Sequence, residues 1–171
     1  MKTNLMNLSA RTILSVLFAL LITSACFAQT SAHNESLENR GNDKGLVGTW
    51  DASVRIKDCN TGNVLNSFAS IASFNEGGTT IGSTSGIPQA ARTPEHGVWR
   101  RVSNRTYMFK FKSYSFNPTG QPTGYSIVAH TITLDPDGDG YYSEGTATFY
   151  TMAGVPVGHG CSDANAVRFE L

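Results

Sequence analysis

Between residues 45 and 171 apolar and polar positions alternate with a period of two, interrupted at intervals by Gly, Pro, Asn and Asp. That period belongs to β-strands with one buried and one wet face. No stripe at helical spacing breaks it. The pattern predicts eight strands, at about 48–57, 64–74, 79–83, 98–102, 106–116, 125–134, 141–151 and 164–171. In the first, Trp50, Ala52, Val54 and Ile56 face one way and Asp51, Ser53, Arg55 and Lys57 the other. In the fifth, Tyr107, Phe109 and Phe111 oppose Lys110 and Lys112, and in the eighth Val167, Phe169 and Leu171 oppose Arg168 and Glu170. Most connections are short and rich in turn formers, such as Asn60-Thr61-Gly62-Asn63 and Glu76-Gly77-Gly78. A longer loop with Pro88 and Pro94 separates the third strand from the fourth.

Eight strands in sequence form an all-β antiparallel meander, which either closes into an up-and-down barrel or splits into a sandwich. Closure removes both sheet edges. The cysteines favour it. In a closed meander the last strand runs antiparallel to the first, so its start lies beside the first strand's end. Cys59 follows the predicted first strand and Cys161 precedes the predicted eighth. Both therefore fall at one end of the closing seam, where an oxidising compartment would bridge them. The alternative is a pair of free thiols.

The first residues bear on compartment. Lys2 and Arg11 precede an uncharged run, ILSVLFALLI at 13–22, which ends in small residues at Ala25-Cys26-Phe27-Ala28. This reads as a secretory signal peptide over 1–28, cut after Ala28, with export to the periplasm or the cell exterior. The run is well short of the ~20 residues that a spanning helix needs, which argues against a membrane anchor. Lipid attachment at Cys26 is a further alternative, disfavoured by Thr23 where bacterial lipoprotein signals carry an aliphatic residue. Residues 29–44 hold one Leu, no aromatic and His33, and read as a flexible tether ahead of a domain at 45–171. Thirteen basic residues balance 13 acidic ones, which leaves no electrostatic case for nucleic acid or an anionic membrane surface.

Gly48-Thr49-Trp50 opens the first strand as the Gly-x-Trp signature opens lipocalin-like, calycin-type barrels. Phe74-Asn75-Glu76-Gly77-Gly78-Thr79, Gly97-Val98-Trp99 and Tyr107-Met108-Phe109 also resemble segments of small exported bacterial lipocalin-like proteins. The resemblance covers 45–171. It implies an eight-stranded barrel whose apolar cavity holds a small hydrophobic molecule. No helical pattern follows the last strand, and the second and third lipocalin signature blocks are not evident. Allene oxide cyclases and dirigent proteins are similar barrels at the level of fold alone.

The candidate chemistry is sparse. Trp50, Phe68, Trp99, Tyr107, Phe109 and Phe111 form an aromatic set that either packs a solid core or lines a cavity. The small residues of 67–73 and 143–148 leave space opposite them and favour the cavity. His130 shares a strand face with Val128, Ile132 and Leu134. If that face is internal, His130 is either a packed histidine or an acid/base catalyst, with Glu144 or Tyr142 as its partner. Asp135, Asp137 and Asp139 match the first half of a calcium loop, but position twelve is Thr146 and the flanks are strands, so a hairpin turn is the better reading. Arg92, Glu95, His96, Arg100 and Arg101 form a polar cluster before the fourth strand, read as a solvated loop or else an anion site at the barrel mouth. No metal spacing, phosphate loop or nucleophile elbow is present, so neither metal nor cofactor is expected. Three readings follow: a monomeric carrier of a small apolar ligand, a barrel isomerase or cyclase using His130, and a filled barrel that works through its loops.

Overall fold

A computed structural model describes residues 45–171. The segments read above as a signal peptide, 1–28, and a tether, 29–44, with Cys26 and His33, lie outside the described residues. The alternating segments form β1 (Gly48–Lys57), β2 (Val64–Asn75), β3 (Thr79–Thr84), β4 (Glu95–Arg101), β5 (Thr106–Phe116), β6 (Pro122–Leu134), β7 (Gly140–Thr151) and β8 (Pro156–Arg168), with one short 3-10 turn at Gln89–Ala91. Each strand pairs with the next, and β8 pairs with β1, so the sheet is a closed up-and-down barrel consistent with a calycin-like fold. No helix among the described residues is long and apolar enough to cross a membrane.

Register follows from the alternation, because a slip of one residue would turn every apolar side chain outward. Trp50 pairs with Ala72 on β2 and Arg168 on β8, and is fully buried. The tight β2–β3 turn depends on Gly77 and Gly78, whose φ values of 85° and 84° lie in the left-handed region.

The two ends of the barrel differ. At one end lie the start of β1 and the β2–β3, β4–β5 and β6–β7 turns. This end is a solid floor of Leu46, Trp50, Phe74, Tyr107, Ile132 and Leu134. Trp50 donates its indole N–H to the Leu46 carbonyl at 2.9 Å. Arg168 lies over the Trp50 ring at 4.3 Å and donates to the carbonyls of Gly45, Val47 and Gly138, closing the floor beneath it. The other end, the mouth, carries the β1–β2, β5–β6 and β7–β8 turns and the long β3–β4 connection. The Cys59–Cys161 disulfide forms there, with 5.2 Å between the Cα atoms. On the outer face of the seam Asp163 stands opposite Arg55 and accepts hydrogen bonds from it at 2.6 and 2.9 Å and from Lys57 at 2.9 Å. The Arg55 hydrogen bond, followed by Lys57, holds the Asp163 carboxyl below its ordinary range.

Four strands begin earlier than the alternation predicts, β7 by a single residue and three others by more. β4 starts at Glu95 rather than 98, β6 at Pro122 rather than 125, and β8 at Pro156 rather than 164. The difference in β8 also corrects its facing. Pro156 and Gly158–Gly160 have loop composition, yet they extend the β7 pairing, with Gly158 opposite Phe149 and Gly160 opposite Ala147. A Cβ on Gly158 or Gly160 would make only ordinary van der Waals contact with the Phe149 ring, at 3.7 and 3.8 Å, so the ring does not require glycine at either position. The buried inward-facing positions of β8 are Ser162, Ala164 and Ala166, Asp163 is buried on the outer face under Arg55 and Lys57, and Val167 and Phe169 are exposed. Trp50 and Tyr141 fill the seam from either side, and small side chains are what fit between them.

Candidate functional site

Above the floor the barrel is hollow. The cavity measures about 350 Å³ and opens toward the mouth. One wall is bulky, with Phe68, Phe109, Phe111 and Val128, and the other is small, with Ala52, Ser143, Ala147 and Ala164. Ile87 and Arg92 reach in from the β3–β4 connection, which therefore lies across the opening. Ile87 and Phe149 line the cavity and are also partly in solvent, which marks the rim.

The aromatic set divides between the two levels. Phe68, Phe109, Phe111 and His130 line the cavity. Trp50, Trp99 and Tyr107 do not: Trp50 packs on Tyr141 with ring centres 4.9 Å apart, and Trp99 on Tyr107 at 5.8 Å. The Trp99 indole N–H is used on the Asn75 carbonyl at 3.1 Å. Tyr141, which sequence reasoning did not single out as a site residue, lines the cavity from below.

His130 points inward from β6 and is buried. Its Nδ1 lies 3.2 Å from the Ser143 hydroxyl and its Nε2 lies 2.9 Å from that of Ser162. Burial lowers its pKa from 6.5 to about 4, against a smaller upward pull from Asp163. The ring is therefore neutral at pH 7, with one nitrogen donating and the other accepting. Glu144 does not join it. The residue directly opposite His130 is Gly145, so the inward face of β7 carries Ser143 and Gly145, and Tyr142 and Glu144 turn outward. There the Tyr142 hydroxyl donates to Glu144 at 3.2 Å and to Asp163 at 3.4 Å.

The polar cluster before β4 is also reassigned. Because β4 begins at Glu95, that side chain points into the barrel and is buried. Arg92 meets it, with Nη2 2.9 Å from Oε1. Arg92 also donates from Nε to the Ser113 hydroxyl at 2.9 Å and lies over the Phe111 ring at 5.8 Å. Burial raises the Glu95 carboxyl, and Arg92 opposes that shift. Gly82, opposite Glu95, makes room for the carboxylate, since a Cβ there would sit 3.0 Å from Oε2. His96, Arg100 and Arg101 are exposed, so the five residues are not a single group.

Asp135, Asp137 and Asp139 serve the β6–β7 hairpin. Asp135 N–H donates to the Gly140 carbonyl at 2.8 Å, and the Asp137 carboxylate accepts from the Asp139 N–H at 3.0 Å. Among the described residues no three His, Cys, Asp or Glu side chains are grouped to hold a metal ion.

No protein-family model matches the chain, and no curated protein matches it in sequence. Chemically, the cavity can enclose an apolar body and offer it a few fixed polar contacts. For proton transfer it presents a neutral imidazole held between two serines, with no carboxylate on either nitrogen, and separately the Arg92-paired carboxylate of Glu95.

Proposed function

We propose that this protein is an exported, lipocalin-like carrier that holds a small, mostly apolar molecule inside its barrel and acts as a monomer. The observation that supports the reading best is the hollow above the floor, about 350 Å³ in volume. Ligand sites typically span about 300–1,000 Å³ and combine apolar walls with a few placed polar groups. Phe68, Phe109 and Phe111 are the ligand-facing members of the aromatic set, and His130 joins them as a ligand-facing residue. Trp50, Trp99 and Tyr107 support them from the floor. Residues 1–28 direct export in this reading, and 29–44 tether the barrel. The disulfide suits an oxidising compartment.

The isomerase or cyclase reading has less support, because an acid/base role for His130 needs a partner within reach of the substrate proton and Glu144 faces outward. The filled-barrel reading is disfavoured by the cavity itself. Native mass spectrometry of the protein purified from its own host tests the carrier. A bound small molecule released on denaturation is the expected result. A bare protein that also takes up no apolar probe would refute it.

A further inference from the structure

The polar groups of the cavity are unequally satisfied. His130 commits both ring nitrogens to Ser143 and Ser162. Ser113 and Ser126 share a hydrogen bond at 3.0 Å, and Ser113 also accepts from Arg92. Among the buried side chains of the lining, two keep a polar atom with no protein partner.

The first is Tyr141. It is 5% exposed and its ring is fixed against Trp50. Its hydroxyl makes no hydrogen bond to any described residue. Every fully enclosed side-chain nitrogen or oxygen among the described residues has a partner, so this hydroxyl is not sealed in and opens onto the cavity that Tyr141 lines. Burial, and then the charge of Glu95, push the phenol pKa upward, so it remains a donor at any physiological pH. The second is Glu95, which gives Oε1 to Arg92 and leaves Oε2 over Gly82 with no protein partner.

Charge decides which ligand group suits these two. Arg92 and Glu95 cancel each other inside the cavity. A carboxylate would meet the like charge of Glu95, and an ammonium would meet Arg92. Either would be desolvated without a net opposite charge, at a cost of several kcal/mol. A hydroxyl escapes both penalties, because it accepts from a phenol and donates to a carboxylate.

We propose that the cavity selects an uncharged apolar molecule bearing a hydroxyl group, with Tyr141 donating to its oxygen and Glu95 Oε2 accepting its hydrogen. This inference rests on the carrier reading and names the ligand class within it. Tyr141 and Glu95 are then specificity-determining residues, and the apolar walls supply most of the affinity.

The test is displacement of the neutral fluorophore N-phenyl-1-naphthylamine from the protein at pH 8 by four ten-carbon competitors: decane, decanol, decanoate and decylamine. Decanol is expected to displace it at a concentration about tenfold below that of the other three, the factor that about 1.4 kcal/mol of hydrogen bonding supplies. Tyr141→Phe should erase most of that advantage and leave decane unchanged. Glu95→Gln, which leaves the Arg92 charge uncompensated, should make decanoate the best competitor. Tyr141→Phe carries the test alone if Glu95→Gln does not fold. Equal displacement by decanol and decane in the wild type, or a decanol advantage that survives Tyr141→Phe, would overturn this inference and leave the carrier standing. Failure of the protein to take up the fluorophore or any competitor would overturn both.

Discussion

Gly145 stands directly opposite His130 across the β6–β7 pair, and the imidazole occupies the space that a side chain at 145 would need. A Cβ there would lie 2.5 Å from His130 Cδ2 and would overlap the Ala129 carbonyl oxygen. Gly145→Ala should therefore displace the ring, break its contacts to Ser143 and Ser162, and cost about 1–3 kcal/mol through overpacking. Urea denaturation measures the loss. An unchanged midpoint would mean that both the ring and the β6 backbone at Ala129 have room to move.

The suppressed charge of His130 makes stability depend on pH. Its folded pKa of about 4 lies below the ordinary 6.5, so on acidification the unfolded chain takes up the proton first. The full contribution is present above about pH 6.5 and is lost as pH falls toward 4, with about 2 kcal/mol gone by pH 5. Glu95 works in the opposite sense, because its folded carboxyl is raised and its protonation favours the folded state. Asp163, held down chiefly by Arg55, adds a loss at still lower pH. Urea midpoints at pH 7.5 and pH 5 should differ in the wild type and differ much less in His130→Gln.

The disulfide joins residues 102 positions apart. Its reduction should lower stability by about 2–4 kcal/mol, under an entropic ceiling of about 4.7 kcal/mol. Melting with and without reductant checks this. Alkylation of both thiols in the folded, unreduced protein would contradict the bridge.

Arg168 seals the floor through a geometry that lysine lacks, donating to several carbonyls while its plane lies over Trp50. Arg168→Lys should lower the melting temperature almost as far as Arg168→Ala does, with near-ultraviolet circular dichroism reporting a loosened Trp50. Full rescue by lysine would show that charge alone is what the floor needs.

The legible parts of the fold were those with one wet and one dry face. β1 and β5 alternate cleanly, and Val128, Ile132 and Leu134 turn the inner face of β6, and His130 with it, inward. β8 misleads because its inner face is built from Ser162, Ala164 and Ala166, while Val167 and Phe169 are left outside. Small residues there answer to Trp50 and Tyr141, a tertiary fit that no local pattern encodes. Arg92 and Glu95 flank Pro94 and have the composition of a solvated loop. Their inward turn depends on Gly82 and Ser113, which are distant in sequence and adjacent across the barrel. Tyr141 follows a hairpin of three aspartates and looks like a strand opening, although it underlies the cavity.

The central claim is that the barrel is hollow and takes an apolar guest. Ala147 lies on the small wall opposite Val128, where a bulky side chain would project into the cavity. Titration of N-phenyl-1-naphthylamine into wild type and Ala147→Trp, alongside their urea midpoints, tests it most directly. The account predicts saturable one-to-one binding by the wild type, none by the variant, and stabilities within about 1 kcal/mol, since tryptophan fills space that is already empty. A loss of about 1–3 kcal/mol in the variant, of the kind that overpacking a filled core produces, together with no uptake by the wild type, would contradict it.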